Sequence, residues 1–337
     1  MRTIHILTAP DEMISDSNTM NPFVPASIKF ARNMRVHGYN TILYCSDTDL
    51  KDINTVICGG ARHKDHQEII RLYNKIAGSS IYANKKSGDI IAVFYGSENI
   101  DACTNNKDLL IFEPSIGYDT RCIISNYRVF TSYCQMHKYY AENNMQPSYL
   151  DWVIPNAFDP ESFTYKKEKQ DYILFFGRVI PGKGVDTAIE LANYTNTKLI
   201  IAGPEYDDTY HKYHNNSNLE FTGFVNAETR KLLMSDARAI IGPTKFLEPF
   251  GNMVIEGYFS GTPAITPDWG GFVDTVQNGV TGFRCRSFKE YVHALENINS
   301  IDNEVCYRYA MNNYTDEVVH KKFDMYIKNL ISEINYE

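Results

Sequence analysis

The chain reads as an α/β protein made of two doubly wound parallel sheets in tandem, and three observations point that way. Its 337 residues are about twice the ~150-residue prior for one domain. Short apolar runs alternate with helical periodicities through both halves, the grammar of strand, crossover helix and parallel strand. Between Asn156 and Gln170 the alternation stops, with Pro155, Pro160 and the cluster Lys166-Lys167-Glu168-Lys169, and then restarts. The expected division is a first domain over 1–157, a second over 158–315, and a tail over 316–337.

The first domain opens with the apolar run Thr3–Ala9, which reads as a strand. A polar loop through Pro25 follows, then the helical spacing of Ile28, Phe30, Ala31 and Met34, ending at His37-Gly38. Further strands are expected at 41–45, 56–58, 90–95, 109–112, 129–131 and 152–154, with helices over 64–77 and 133–142. In the second domain strands are expected at 172–176, 199–202, 219–221, 239–241 and 264–266, and helices at 185–193, 227–235 and 252–260. The tail, 316–334, carries Val318, Val319, Phe323, Tyr326, Ile327 and Leu330 on one stripe and is expected to cross back onto the first domain. In sheets of this kind ligands sit beyond the carboxyl ends of the strands, here in the cleft between the two sheets.

Composition removes several function classes. No apolar run approaches the ~20 residues that cross a bilayer, and the opening nine residues are cut short by Pro10-Asp11-Glu12, so no signal peptide is read and a cytoplasmic location is expected. Seven cysteines, odd in number and without a Cys-x-x-Cys spacing, are expected to be reduced and mostly packed. Net charge is 33 − 41 = −8, divided as −1 over 1–155 and −7 over 156–337. A basic face for nucleic acid or anionic lipid is not indicated. A phosphate ligand in the second half must be held by a few placed cations and main-chain amides.

Such a place is visible. Phe176-Gly177-Arg178-Val179-Ile180-Pro181-Gly182-Lys183-Gly184 lies between a strand and a helix; its glycines let the backbone approach an anion, and Arg178 and Lys183 supply charge. The same letters fit a solvated turn. They also come close to the phosphate loop of nucleoside triphosphatases, but that pattern needs Ser or Thr after the lysine to hold magnesium, and position 184 is Gly. A second signal is Leu247-Glu248-Pro249-Phe250-Gly251-Asn252-Met253-Val254-Ile255-Glu256. Here Glu248 falls in a loop, Glu256 about one turn into a helix, and the amides of Phe250, Gly251 and Asn252 sit where unpaired helix donors can meet a phosphate.

Taken with Gly261-Thr262-Pro263, Gly270-Gly271-Phe272 and Gly279-Val280-Thr281-Gly282-Phe283, these segments resemble, in order and spacing, the retaining nucleotide-sugar-dependent glycosyltransferases of the GT-B fold, family 4-like, with their Glu-x7-Glu motif. The resemblance covers about 150–285. It implies two Rossmann-like domains and transfer of a hexosyl unit from a UDP- or GDP-sugar to a hydroxyl of a glycan or small molecule. No bound metal and no cofactor beyond the nucleotide-sugar co-substrate are implied. Residue by residue, it implies that Arg178 and Lys183, beside Gly177, hold the donor diphosphate, that Glu248 binds hydroxyls of the donor sugar, that Glu256 holds the ribose hydroxyls, and that Gly223, Phe224 and Val225 frame the base.

The first domain departs from the commonest family pattern, which has a histidine at a strand end facing the reacting centre. Here the strand at 109–112 runs into Glu113-Pro114-Ser115-Ile116-Gly117-Tyr118, which resembles a subgroup with Glu-Pro-Gly-Ile-Gly-Tyr. Glu113 is therefore a candidate to position the acceptor hydroxyl or donor sugar, its other reading being a carboxylate that caps local amides. His137, His5 and His37 read as helix or strand residues. Asp47-Thr48-Asp49, the one Asp-x-Asp, reads as a solvated loop. Rival readings are a sugar-nucleotide epimerase of the same fold, a phosphate-loop triphosphatase and a non-catalytic glycan or nucleotide binder. The acceptor would be held by the loops 10–25, 59–66 and 96–107.

Overall fold

A computed structural model describes residues 1–17, 21–59, 65–117 and 119–334, and it divides into two units. The first comprises 1–131, 135–157 and the chain from 316 onward; the second comprises 132–134 and 158–315.

In the first unit the elements are β1 (Thr3–Leu7), β2 (Met13–Ile14), α1 (Phe23–Val36), β3 (Asn40–Cys45), β4 (Asp47–Thr48), β5 (Asn54–Ile57), α2 (His66–Asn84), β6 (Ile90–Val93), α3 (Ile100–Thr104), β7 (Leu110–Ile116), β8 (Arg128–Phe130), α4 (Tyr133–Asn143) and β9 (Trp152–Val153). Seven strands form one parallel sheet in the order β5-β3-β1-β6-β7-β8-β9, while β2 and β4 pair as a separate small ribbon. The strands are apolar on both faces because helices cover both. Ile4, Ile6 and Leu43 pack on one side with α1, and Leu7, Tyr44, Ile91 and Val93 on the other with Tyr73, Ala77 and Ile81 of α2.

Several details differ from the sequence reading, among them the β2–β4 ribbon, where loop was expected, and α2, which runs on to Asn84. Helix α1 begins at Phe23 and takes in Pro25, which the first turn tolerates because no intrahelical N–H is lost there. Strand β7 runs on to Ile116 with a register shift after Glu113, and Ser115 inside that irregularity has φ +60°. This is the position at which the subgroup motif has glycine. A serine in left-handed backbone carries a cost of about 1 kcal/mol, and glycine's greater unfolded freedom offsets only part of the gain from replacing it. Ser115→Gly is therefore expected to stabilise by about 0.5 kcal/mol, read as a raised urea midpoint, and Ser115→Ala is expected not to.

The second unit contains β10 (Tyr172–Phe176), α5 (Val185–Thr195), β11 (Lys198–Ala202), β12 (Leu219–Gly223), α6 (Ala227–Asp236), β13 (Ala239–Ile241), α7 (Asn252–Phe259), β14 (Ala264–Pro267), α8 (Phe272–Thr275), β15 (Gly282–Cys285), α9 (Phe288–Asn297) and α10 (Asn303–Asn313). Its parallel sheet runs β12-β11-β10-β13-β14-β15. Numbered within the unit this is 3-2-1-4-5-6, the Rossmann order, whose direction reverses between β10 and β13. The last helix, α11 (Asp316–Ile334), belongs to the first unit. Its Val319, Phe323, Tyr326, Ile327 and Leu330 are buried there with Phe30 and Phe112, each worth roughly 1.5–3 kcal/mol of apolar burial. Tyr326 OH donates to Leu150 O at 3.0 Å, and Tyr39 OH to Asp324 Oδ1 at 3.2 Å.

All seven cysteines are free thiols, five of them buried. Among the described residues no helix is long and apolar enough to cross a membrane.

Candidate functional site

The two motifs flank the reversal point of the second sheet. The loop 177–184 leaves β10 and the loop 242–251 leaves β13, so both start at the carboxyl ends of the two strands where the order turns, the position at which open sheets bind ligands. Backbone hydrogen bonds bring the neighbouring strand ends to the same level: Gly177 N donates to Ala202 O at 3.0 Å, and Gly203 N to Gly223 O at 2.9 Å.

Close approach of the two loops explains a glycine. Gly184, at the N-terminus of α5, has φ +76°, and a Cβ there would lie 1.9 Å from Pro243 O. Only glycine allows the turn to sit against the 242–248 segment, and Lys245 N then donates to Gly182 O at 2.9 Å. A serine or threonine hydroxyl at 184, as a triphosphatase needs for magnesium, has no room.

The consequence is a contact between residues 65 positions apart: Lys183 Nζ donates to Glu248 Oε2 at 2.5 Å, with side-chain exposures of 22% and 15%. The same ammonium lies 4.9 Å from the ring centroid of Phe246, which carries it from below. Glu248 is fixed through its main chain, since its carbonyl accepts Gly271 N at 2.7 Å. Arg178, by contrast, is exposed and makes no ion pair with any described residue. One cation is therefore held against a carboxylate while a second reaches into solvent from the same loop.

Glu256 lies in the second turn of α7, and its Oε1 is 3.8 Å from Nη1 of Arg230 on α6, whose guanidinium stands 5.6 Å from the Phe163 ring. Asn252 is exposed at the first position of α7, after Gly251 in left-handed backbone. Phe250 is buried and stacks on Phe158 at 6.4 Å, so its ring belongs to the core and only its main chain can meet a ligand. At the end of β12, Gly223 has φ +65°, Phe224 is 66% exposed and Val225 is half-buried. Arg178, Lys183, Glu248, Asn252 and Glu256 thus all belong to loops and helix starts of one sheet edge. Arg230 and Phe246 were missed from sequence. Phe246 lies two residues before Glu248 and could have been suspected from that, whereas no local spacing marks Arg230.

Glu113, in the first unit, is wholly buried and its Oε1 accepts Ile124 N at 2.8 Å. Through that bond the carboxylate braces the chain after β7. Tyr118 lies outside the described residues, as do 18–20 and 60–64 of the expected acceptor loops. His5 is buried between Tyr44 OH, at 2.9 Å, and Asp89. A polar depression of about 420 Å³ in this unit is lined by Ser15, Asp16, Asp49 and Asp52 among others. Arg32 engages Asp16 and Asp52, and Ser15 donates to Asp49, which accounts for the Asp-x-Asp segment as surface structure.

The description "Glycosyl transferases group 1" matches the sequence over 159–315, the unit that holds both motifs. Over that stretch, somewhat less than half of the chain, the sequence is similar to the glycosyl transferases of group 1. The chain is 27% identical over 181 residues to an uncharacterized glycosyltransferase, MJ1607, of Methanocaldococcus jannaschii, a stretch that is 46% of this chain and 45% of that protein. It thus spans less than half the length of that relative. Among solved structures it superposes on AviGT4, a glycosyltransferase involved in avilamycin A biosynthesis, with a TM-score of 0.74 at 15% identity over 98% of both chains. HepE of Anabaena, in complex with UDP-glucose, gives 0.73 at 13% identity over 99% of this chain and 100% of that one. These likenesses establish the GT-B fold, and the stretch similar to the group 1 family is its second Rossmann-like unit.

Proposed function

We propose that the protein is a glycosyltransferase that moves a hexosyl unit from a UDP- or GDP-sugar to a hydroxyl of a carbohydrate or small-molecule acceptor, with retention of anomeric configuration and without a divalent ion at the diphosphate. The observation that carries this reading is the 2.5 Å pair between Lys183 and Glu248, which joins the two motifs at one point of the sheet edge. A nucleoside diphosphate arriving beside Arg178 competes with Glu248 for the Lys183 ammonium. Once released, the carboxylate is free to accept hydrogen bonds from sugar hydroxyls. Departure of the diphosphate is assisted by the two cations and by main-chain N–H groups at the start of α7. Glu256, steadied by Arg230, accepts from the ribose hydroxyls. The UDP-glucose bound by HepE, of the same fold, supports a uridine donor for this site, and the resemblance in the motifs supports retention.

Thermal unfolding with UDP, GDP, ADP and ATP, each in EDTA and in magnesium, tests the donor. Stabilisation by UDP or GDP that persists in EDTA is expected, about 2.7 kcal/mol at ligand 100 times its dissociation constant. Stabilisation only by a triphosphate with magnesium overturns the reading. The ribose role has its own test. Glu256→Gln is expected to weaken the preferred nucleoside diphosphate about tenfold, the value of one charge-assisted hydrogen-bond partner. It is expected to leave the affinity for the 2′,3′-dideoxy analogue unchanged, and an equal loss for both would refute the assignment.

A further inference from the structure

Beyond the donor site, the connection between β11 and β12 gathers Glu205, His211 and His214 so that one ligand atom from each lies within 4.8 Å of the others. We propose that these three residues form a binding site for a divalent transition-metal ion of the zinc class, separate from the sugar-transfer chemistry and structural in effect.

The donor set is two imidazoles and one carboxylate, a combination that suits zinc and not magnesium, which prefers all-oxygen surroundings. Glu205 reaches His214 Nε2 at 3.1 Å through Oε2, close to the ~3.3 Å that separates two ligands on one tetrahedral zinc with bonds of about 2.0 Å. His211 lies in the 3-10 turn Asp208–Tyr213 and His214 caps its end, with ring centroids 5.0 Å apart. Asp208 Oδ1 lies 3.1 Å from His211 Nδ1, so a second carboxylate is at hand to orient that ring.

The turn is held in place without an ion. Tyr210 is buried in the core of the unit, the Asp207 side chain accepts Thr209 N at 2.9 Å, and the His214 ring lies 4.3 Å from that of Phe221. A cation between the two imidazoles satisfies both rings and Glu205 at once. Glu205 is 18% exposed and the two rings 38% and 53%, which leaves an entry path and an open coordination position for water.

Its location gives the site a consequence. Glu205 forms a bridge with Val179, whose N–H donates to Pro204 O at 3.0 Å, so the liganding segment is hydrogen-bonded to the residue that follows Arg178. An ion on Glu205, His211 and His214 would tie the β11–β12 connection to the loop carrying that arginine.

The test uses the full chain stripped with EDTA and zinc chloride competed against a chromophoric chelator. One equivalent is expected to bind. His211→Ala, His214→Ala and Glu205→Gln are each expected to weaken it at least tenfold, and the double histidine variant to abolish it, while magnesium does not bind. Cobalt(II) is expected to show d–d bands without thiolate charge transfer, which separates this site from one built on cysteines. Amide exchange over 203–216 is expected to slow with zinc in the parent chain and not in the double variant. Absence of binding overturns the proposal, as does an affinity the variants leave unchanged. Thermal unfolding of the metal-free variants, expected to match the parent, shows that any loss is not misfolding.

Discussion

Lys183→Ala is expected to lower the rate of sugar transfer by about 10²–10³-fold, the usual effect of deleting one preorganised group aimed at charge that develops in the transition state. The lysine is half of a 2.5 Å pair in the unliganded protein, so its removal also leaves Glu248 with an uncompensated charge. The two effects are separable. If the defect came only from the stray carboxylate, adding Glu248→Gln to Lys183→Ala would recover activity. The proposed role of both groups at the donor predicts that the double variant stays as inactive as the worse single one, because residues that act as a unit are not additive. Affinity should discriminate too: Lys183→Ala is expected to weaken the nucleoside diphosphate and spare the monophosphate. Full turnover in Lys183→Ala would remove the residue from the mechanism.

Acid is expected to release the C-terminal helix from the first unit through His320. This imidazole is buried between Phe30 and Phe323, and its Nδ1 lies 2.7 Å from Asp316 O. Burial, assisted by the nearby Lys29 and His37, pulls its pKa from the ordinary 6.5 down to about 4. The folded chain thus holds it neutral while the unfolded chain binds a proton below pH 6.5. Stability is complete above that value and is lost as pH falls from 6.5 through 4, by up to about 3 kcal/mol for a shift of this size. Trp152 reports the event, since its ring stands 5.4 Å from Tyr326 of α11. With Trp269 replaced by Phe to silence the second unit, the urea midpoint followed at Trp152 should fall between pH 7 and pH 4.5. The fall should be distinctly smaller in His320→Gln. Equal falls in the two would remove His320 as the source of the acid sensitivity.

Much of the fold was legible because its strands are covered on both faces. Strands such as 172–176 and 239–241 appear as unbroken apolar runs whose ends can be read residue for residue. The tail helix was legible for a different reason, an apolar stripe at helical spacing over nineteen residues. The β2–β4 ribbon was not, since two-residue strands carry no period and Asp47-Thr48 reads as loop. Nor was the length of β7, where a serine occupies a backbone position that its side chain disfavours.

In the site, local chemistry and tertiary contact divide in the same way. The amino-acid sequence alone determined which loops could meet a phosphate, because glycines, cations and helix starts lie next to one another along the chain. It could not determine that Lys183 rests on Glu248, that Arg230 steadies Glu256, or that Glu205 joins two histidines beside Val179. Those pairings depend on the order in which parallel strands assemble, which sets residues 65, 26 and 26 positions apart side by side at one sheet edge. The meaning of Glu113 was likewise a tertiary matter. A carboxylate at a strand end can face a ligand or brace a neighbouring segment, and only the folded chain shows this one buried with Ile124 N on one of its oxygens.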